Sequence, residues 1–443
     1  MTQAAVQRFL VAHAGFAGNG ARGAPGWLVR LREQALVRFA EAGFPTQKLE
    51  DWRLTSVQPI VDTPFALPLE PPPPEPTAKD IHGLELCEAR RHLLVFVNGR
   101  FSPALSSVAG LPAGVYVGSL AAALGTHGSL LERYLGRLAL TENRPFTALN
   151  TAFLHDGAFV YVPAGLQMDE PVQLLYLTVP GRQPTVSYPR SLVVVEQMTR
   201  ASVVETYGAL GDGPYFTNAV TEIVVGDGAR CDCYRVQRES EQAFHVAATH
   251  TTQGRDSTLH LHAVVFGGAL ARHDIGVVMD GENGQSMLNG LYLVHGRQHV
   301  DHHTTIDHAK PHCESHEYMN GVLDGKSHGV FNGRIIVRRG AQRTDSKQTN
   351  SNLVLSDDAR ADSQPQLEIY ADDVKCTHGA TLGPIDEKAV FYLKSRGITA
   401  AEARSLLTYG FGAEIIDRME IAPLQAQLDR LIRRRLLGEV RAS

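Results

Sequence analysis

Between Trp27 and Phe44, apolar residues recur as Trp27, Leu28, Leu31, Ala35, Leu36, Phe39 and Ala40, a stripe of period 3.6 that Gly43 closes. The spacing predicts a surface-packed helix. The segment HLLVFVNGRF reads instead as two short strands around an Asn98-Gly99 turn. Ser119 and Ser129 are expected to cap two short helices, SLAAALG and SLLERYLG. From about Phe146 to Gly383 the texture changes to short apolar or alternating runs separated by Gly, Asp and Asn, among them Leu192 to Val195, Leu259 to Phe266, Leu291 to Val294 and Leu367 to Tyr370. Such a stretch, almost without helical pattern, suits a sandwich pair, a propeller or a β-solenoid. Short strands and recurrent turn glycines favour the solenoid without deciding it. Helical spacing returns at Thr399, where Thr399-Ala400-Ala401-Glu402 forms a capping box. Gly410 is expected to stop that helix, Ala413 to Met419 to form a second segment, and Pro423 to open a third with Leu424, Leu428, Leu431, Ile432 and Leu436 on one face.

Between the first helix and the strands lies TPFALPLEPPPPEPT, whose seven prolines from Pro64 to Pro76 favour an extended connector. At 443 residues the chain is too long for one ordinary core, so several domains or one elongated repetitive body is expected. With 43% hydrophobic residues, 20% charged and a net charge of −5, it should fold, and it offers no basic surface for nucleic acid. The five cysteines, Cys87, Cys231, Cys233, Cys313 and Cys376, are odd in number and scattered, which argues against a disulfide framework and for a reducing, cytoplasmic setting. The first twenty residues read as no secretion signal, and no run approaches the ~18 apolar residues of a spanning helix. Histidine is the unusual component, with thirteen of nineteen between His245 and His328.

Two nucleotide-binding patterns fail on context. Gly18 to Gly23 matches G-x-G-x-x-G in letters, but no strand precedes it. Gly321 to Ser327 is one residue short of a phosphate loop and leads into strand signal, so if ATP matters here another chain should hydrolyse it. The belt from His295 to His316 offers imidazoles, carboxylates and Cys313 at many spacings. It supports one alternative, a stand-alone metal-dependent enzyme on a β-solenoid. The segment Leu367 to Gly383 is sharper. Leu367, Ile369 and Ala371 alternate inward, Asp372-Asp373 break the run, and Val374, Cys376 and His378 then share a face if the strand resumes. A thiol and an imidazole ~6.6 Å apart along one strand can point into one site. They are ligand types of iron–sulfur clusters, but two ligands do not complete a site.

LEIYADDVKCTHGATLGPIDEKAVFYLKSRGITAAEARSLLTYGF, from Leu367 to Phe411, resembles the SufB/SufD family of iron–sulfur cluster assembly scaffolds, in its SufD wording. GFPTQKLEDWRLTSV, ALNTAFLHDGAFVYVPAG and PRSLVVVE, beginning at Gly43, Ala148 and Pro189, extend the resemblance along the chain. It implies a right-handed parallel β-helix between helical ends: a helical region at 1–62, a proline-rich connector at 63–90, a β-helix core with short helices near its start at 91–383, and a helical domain at 384–443. It further implies a non-catalytic scaffold that pairs with SufB through the C-terminal end of the two β-helices. The SufC ATPase would dock on the C-terminal helices at Arg396, Gly397, Tyr409 and Phe411. His378 and Cys376 match a histidine and its neighbouring cysteine at the interface, where a nascent cluster or iron would be held. A role in iron acquisition and a reduced flavin, FAD, bound by the complex come with the same resemblance, and it leaves open a homodimer when SufB is absent. A third, purely structural reading makes the chain a passive partner that stabilises SufB and SufC. The polyproline run departs from the family pattern and reads as a local insertion.

Overall fold

The computed structural model describes residues 2–19, 23–67, 75–85 and 91–437. Part of the Gly18 to Gly23 pattern, the run Pro71 to Pro74 and Cys87 lie outside them. At the centre is a parallel β-solenoid of two sheets, one of eleven strands and one of ten. Successive strands alternate between the sheets. Arg230–Arg238, Thr258–Val265, Gln285–Val294, Glu314–Leu323, Asp345–Val354 and Lys375–Gly383 therefore stack in parallel in one sheet. Phe244–Gln253, Leu270–Met279, His299–His308, His328–Val337 and Arg360–Ile369 stack in the other. One circuit takes between 26 residues, from Phe244 to its partner Leu270, and 33, from Gly157 to Arg190.

Because side chains alternate across a strand, this register lines equivalent positions into rows along the axis. One interior row runs Ile223, Thr251, Val277, Ile306, Ile335, Leu367. Ile306 and Ile335 are fully buried, each contributing about 1.5–3 kcal/mol. A row in the opposite sheet changes character as it advances: Cys233, Leu261 and Leu288 give way to Glu317, Gln348 and finally His378.

At its N-terminal end the solenoid starts with antiparallel strands. His92–Val97 pairs with the short strands Arg100–Phe101 and Ser107–Val108, turning through Asn98 and Gly99, whose φ of 49° and 80° suit a tight hairpin. Tyr116–Ser119 lies antiparallel to Gly157–Val162 and runs into helix Leu120–Thr126. Helices Thr2–Asn19 and Gly26–Ala42 pack with helix Pro145–Ala152 on the outer face of the ten-stranded sheet, where Phe9, Phe39, Trp52 and Phe146 meet Phe216 and Phe244. A fully buried ion pair, Arg190 with Glu222, fastens this junction. Glu222 also accepts the amides of Gly136 and Leu138 at 2.9 Å and of Ala139 at 3.1 Å. Burial alone would raise its carboxyl, but Arg190 and these amides hold it below the usual range.

Helices Glu387–Ser395, Ala400–Ile416 and Ala422–Leu437 follow the last strand. The second and third fold back on the outer face of the eleven-stranded sheet, burying Ile415, Ile416, Leu424, Leu428 and Ile432 against Tyr234, Val264 and Leu291. Among the described residues no helix is long and apolar enough to cross a membrane.

The fold corrects three local expectations. Ser119 caps its helix, accepting the Ala122 amide, but Ser129 lies inside helix Gly128–Tyr134, which begins at His127 without a side-chain cap. Gly410 does not stop a helix, because Ala400–Ile416 runs unbroken through it and Gly412. Gly412 is buried where the helix packs on Leu291 and Ile432, and burial of the helix face outweighs the ~1 kcal/mol helix cost of each glycine. Helix Pro145–Ala152 interrupts the strand-like region, and Thr2–Asn19 is a helix that the weak N-terminal pattern did not announce.

Candidate functional site at the open end of the solenoid

Both sheets finish at the same end on strands with one neighbour each. Among the described residues, Arg360–Ile369 pairs only with His328–Val337, and Lys375–Gly383 only with Asp345–Val354. The turn between them is anchored by Ala371, which packs with Ile335, Val337 and Ala341, and by Asp373, whose amide donates to Gln342 Oε1 at 2.9 Å while its carbonyl accepts from Arg343. The strand does resume at Lys375, which puts Cys376 and His378 on one face. Cys376 stands over Ser346 and is half-buried against Val374 and Leu367. Burial, then Asp345, pushes its thiol up, so at neutral pH a metal ion must displace its proton to bind. His378 stands over Gln348 and is exposed. Around them Ile369, Tyr370 and Leu382 also face solvent, Leu382 at 61% exposure.

This pair is incomplete as a metal site. Among the described residues, no three His, Cys, Asp or Glu side chains are grouped so as to hold an ion. The histidine belt explains why abundance does not give convergence. His302 and His308 point inward, the first stacked on Tyr292 and the second bonded to Ser315 at 2.8 Å. His303 points outward to Asp301 at 3.1 Å, His316 pairs with Glu314 at 2.6 Å, and His295 meets Glu241 at 3.0 Å. Alternation along the strands spreads them over several faces, so the metal-enzyme alternative finds no geometric support. Cys231 and Cys233 share an interior face with their sulfurs 3.5 Å apart, and Gly321 to Ser327 is the end of a strand and a turn into the next.

The four residues expected on the C-terminal helices divide. Arg396 and Gly397 are exposed at the end of helix Glu387–Ser395, Arg396 lying over the Tyr392 ring. Tyr409 is bonded to Asp429 and Arg433, and Phe411 packs toward the solenoid, its carbonyl accepting from Asn320 at 3.2 Å. Beside Arg396, Phe391 and Tyr392 are 72% and 58% exposed, with Leu406 also open. Sequence reasoning missed this patch, since FYLK at helical spacing gives no sign that one face goes uncovered.

The described residues thus give a parallel solenoid with unpaired strands at one end, a thiol and an imidazole on one face there, and exposed aromatics on the C-terminal helices. The SufBD core domain of the SUF system for FeS cluster assembly matches residues 177–411, and the SufBD N-terminal region matches 21–174. An iron–sulfur cluster assembly SufBD family protein of Synechocystis is 35% identical over 91% of this chain and 90% of its own length. The iron–sulfur cluster assembly protein SufD of Escherichia coli is 31% identical over 92% and 93%, and that of Bacillus subtilis 28% over 93% and 94%. The chain belongs to the SufB/SufD family of the SUF iron–sulfur cluster assembly system, and its general role lies in that assembly.

Proposed function

We propose that this chain is a SufD-type scaffold subunit that pairs with SufB through the open end of the solenoid. There His378, with Cys376, contributes to a site that completes only when the partner's residues arrive. The observation that carries the reading is the coincidence of two unpaired edges, exposed Ile369, Tyr370 and Leu382, and the thiol–imidazole pair at one place. Unpaired edge strands are templates for another chain, and a buried partner face would satisfy both the edge amides and the apolar side chains. The nascent cluster, or iron on its way to it, is the cargo of this site. Participation in iron acquisition follows from the same reading.

SufC docks on the C-terminal helices in this proposal, through Arg396 and Gly397 together with the adjacent Phe391 and Tyr392, and supplies the ATP hydrolysis. The chain itself acts as a non-enzymatic scaffold. Two grooves mix charges of both signs: one of about 490 Å³ is lined by Asp169, Asp232 and Glu420 with Arg200, and one of about 400 Å³ by Glu50, Asp51, Glu142 and Asp274 with Arg144, Arg272 and Arg334, a carboxylate-rich lining that disfavours the multiply charged pyrophosphate of FAD. No step of the proposal runs through flavin on this chain.

The test is anaerobic reconstitution with SufB and SufC. His378→Ala is expected to leave the complex intact and to lower cluster absorbance strongly. Wild-type cluster yield in that variant would remove the proposed role.

A further inference from the structure

A polar groove of about 400 Å³ runs along the outer face of the ten-stranded sheet, from the segment before helix Pro145–Ala152 to Gln366 on the last strand, apart from Cys376 and His378 on the other sheet. The helix presents the amides of Phe146 and Thr147, which precede its first internal bond, Ala148 N to Arg144 O at 2.9 Å. Thr147 lines the groove though only 4% exposed. Arg144, also in the lining, meets no carboxylate among the described residues. Its Nη1 approaches the two ring nitrogens of His250 at 2.9 and 3.1 Å.

That contact is chemically unfinished. Burial, then Arg144 itself, lowers His250 to about 4, so the ring is neutral and carries one acceptor nitrogen and one N–H. One nitrogen accepts from the guanidinium, and the other N–H faces a cation, without an acceptor. His250 is 6% exposed, so bulk water does not easily take that place. A guanidinium, an imidazole N–H, a hydroxyl and two helix-start amides thus meet one cavity, and the component that would satisfy them together is a negatively charged acceptor.

We propose that this groove binds an oxyanion, a carboxylate or phosphoryl group carried by a small molecule, through Arg144, Thr147, His250 and the first amides of helix Pro145–Ala152. Glu50, Asp51, Glu142 and Asp274 line the same groove, Asp274 paired with Arg272 and Glu142 with Arg38, so the rest of the ligand is neutral or cationic, and polyanions are disfavoured.

Acetate and inorganic phosphate, titrated separately into the full-length chain by calorimetry, are the probes, and the one that binds identifies the oxyanion. Saturable binding is expected for at least one. Arg144→Gln should weaken it at least about tenfold, since a charge-assisted bond contributes about 1.5–3 kcal/mol. Thr147→Val keeps the side-chain shape and should weaken it less, which guards against a folding defect in the arginine variant. Arg144→Lys should recover part of the affinity. Absence of saturable binding for both probes, or affinities unchanged in the Gln and Val variants, overturns the proposal.

Discussion

Glu317 offers a sharp test of the interior. It is fully buried, its Oε2 accepts from Gln348 Nε2 at 2.7 Å, and its Oε1 has no partner among the described residues. Burial lifts its carboxyl from 4.5 to about 7, against smaller opposing contributions from Thr304 and Gln348. In the folded chain Glu317 therefore keeps its proton up to near-neutral pH, whereas in the unfolded chain it ionises near 4.5. Between those values the folded state binds more protons. The stability contributed by this group is thus fully present below pH 4.5 and is lost as pH rises through about 7. At about 1.36 kcal/mol per unit, the interval corresponds to about 3 kcal/mol. Glu317→Gln removes the titration and can still bond Gln348, whose Oε1 is otherwise unpartnered. In urea unfolding from pH 5 to pH 8, the stability of the variant relative to wild type should rise by about 3 kcal/mol. Taking the difference between the two proteins cancels the other titrating groups. A difference that stays constant across the range would refute the argument that the carboxyl is held in a dry, poorly partnered position.

Leu382→Asp, on the open edge, should leave the melting temperature of the isolated chain within about a degree or two, because exposed sites away from special features change stability little. The same variant should lose co-purification with SufB. Glu222→Gln should destabilise by about 3–5 kcal/mol, because it leaves Arg190 charged and buried without its counter-ion, and the loss would be read in denaturant unfolding. Thr399→Ala should cost about 1 kcal/mol locally by removing the bond to the Glu402 amide, visible as faster amide exchange over Ala401 to Ala403 with the solenoid unaffected.

The parts of the fold legible in the sequence are those whose cause is local. The Thr399–Glu402 box, the Asn98-Gly99 hairpin and the stripe from Trp27 to Ala40 each act over a few residues. Strands such as DSKQTNSNLV and HVDHHTTIDH were harder to see, since apolar alternation is the usual mark of a half-buried strand. Here the interior itself is polar: Ser346, Gln348, Asn350 and Asn352 point inward, and the first three find partners on the neighbouring coil, as Ser346 does in Ser315 at 2.7 Å. Residue spacing therefore left several all-β architectures open, and the register between coils, a long-range fact, closes the question. At the site, the common face of Cys376 and His378 followed from strand geometry once the break at Asp372-Asp373 was recognised. The exposure of Phe391 and Tyr392 did not, because it depends on which helix faces the rest of the chain leaves uncovered.

The two ends of the solenoid are unlike, and the difference limits stoichiometry. At the beginning, antiparallel strands of two to six residues and helix Leu120–Thr126 blunt the edges, while at the finish both edges stay available. Were both ends open, head-to-tail stacking of identical coils could continue without limit, as in a fibre. With one end blunted, the proposed pairing through the open end would make each molecule monovalent along its axis, so that such association would close at two bodies joined end to end and the edge would serve as a terminating contact rather than an aggregation hazard.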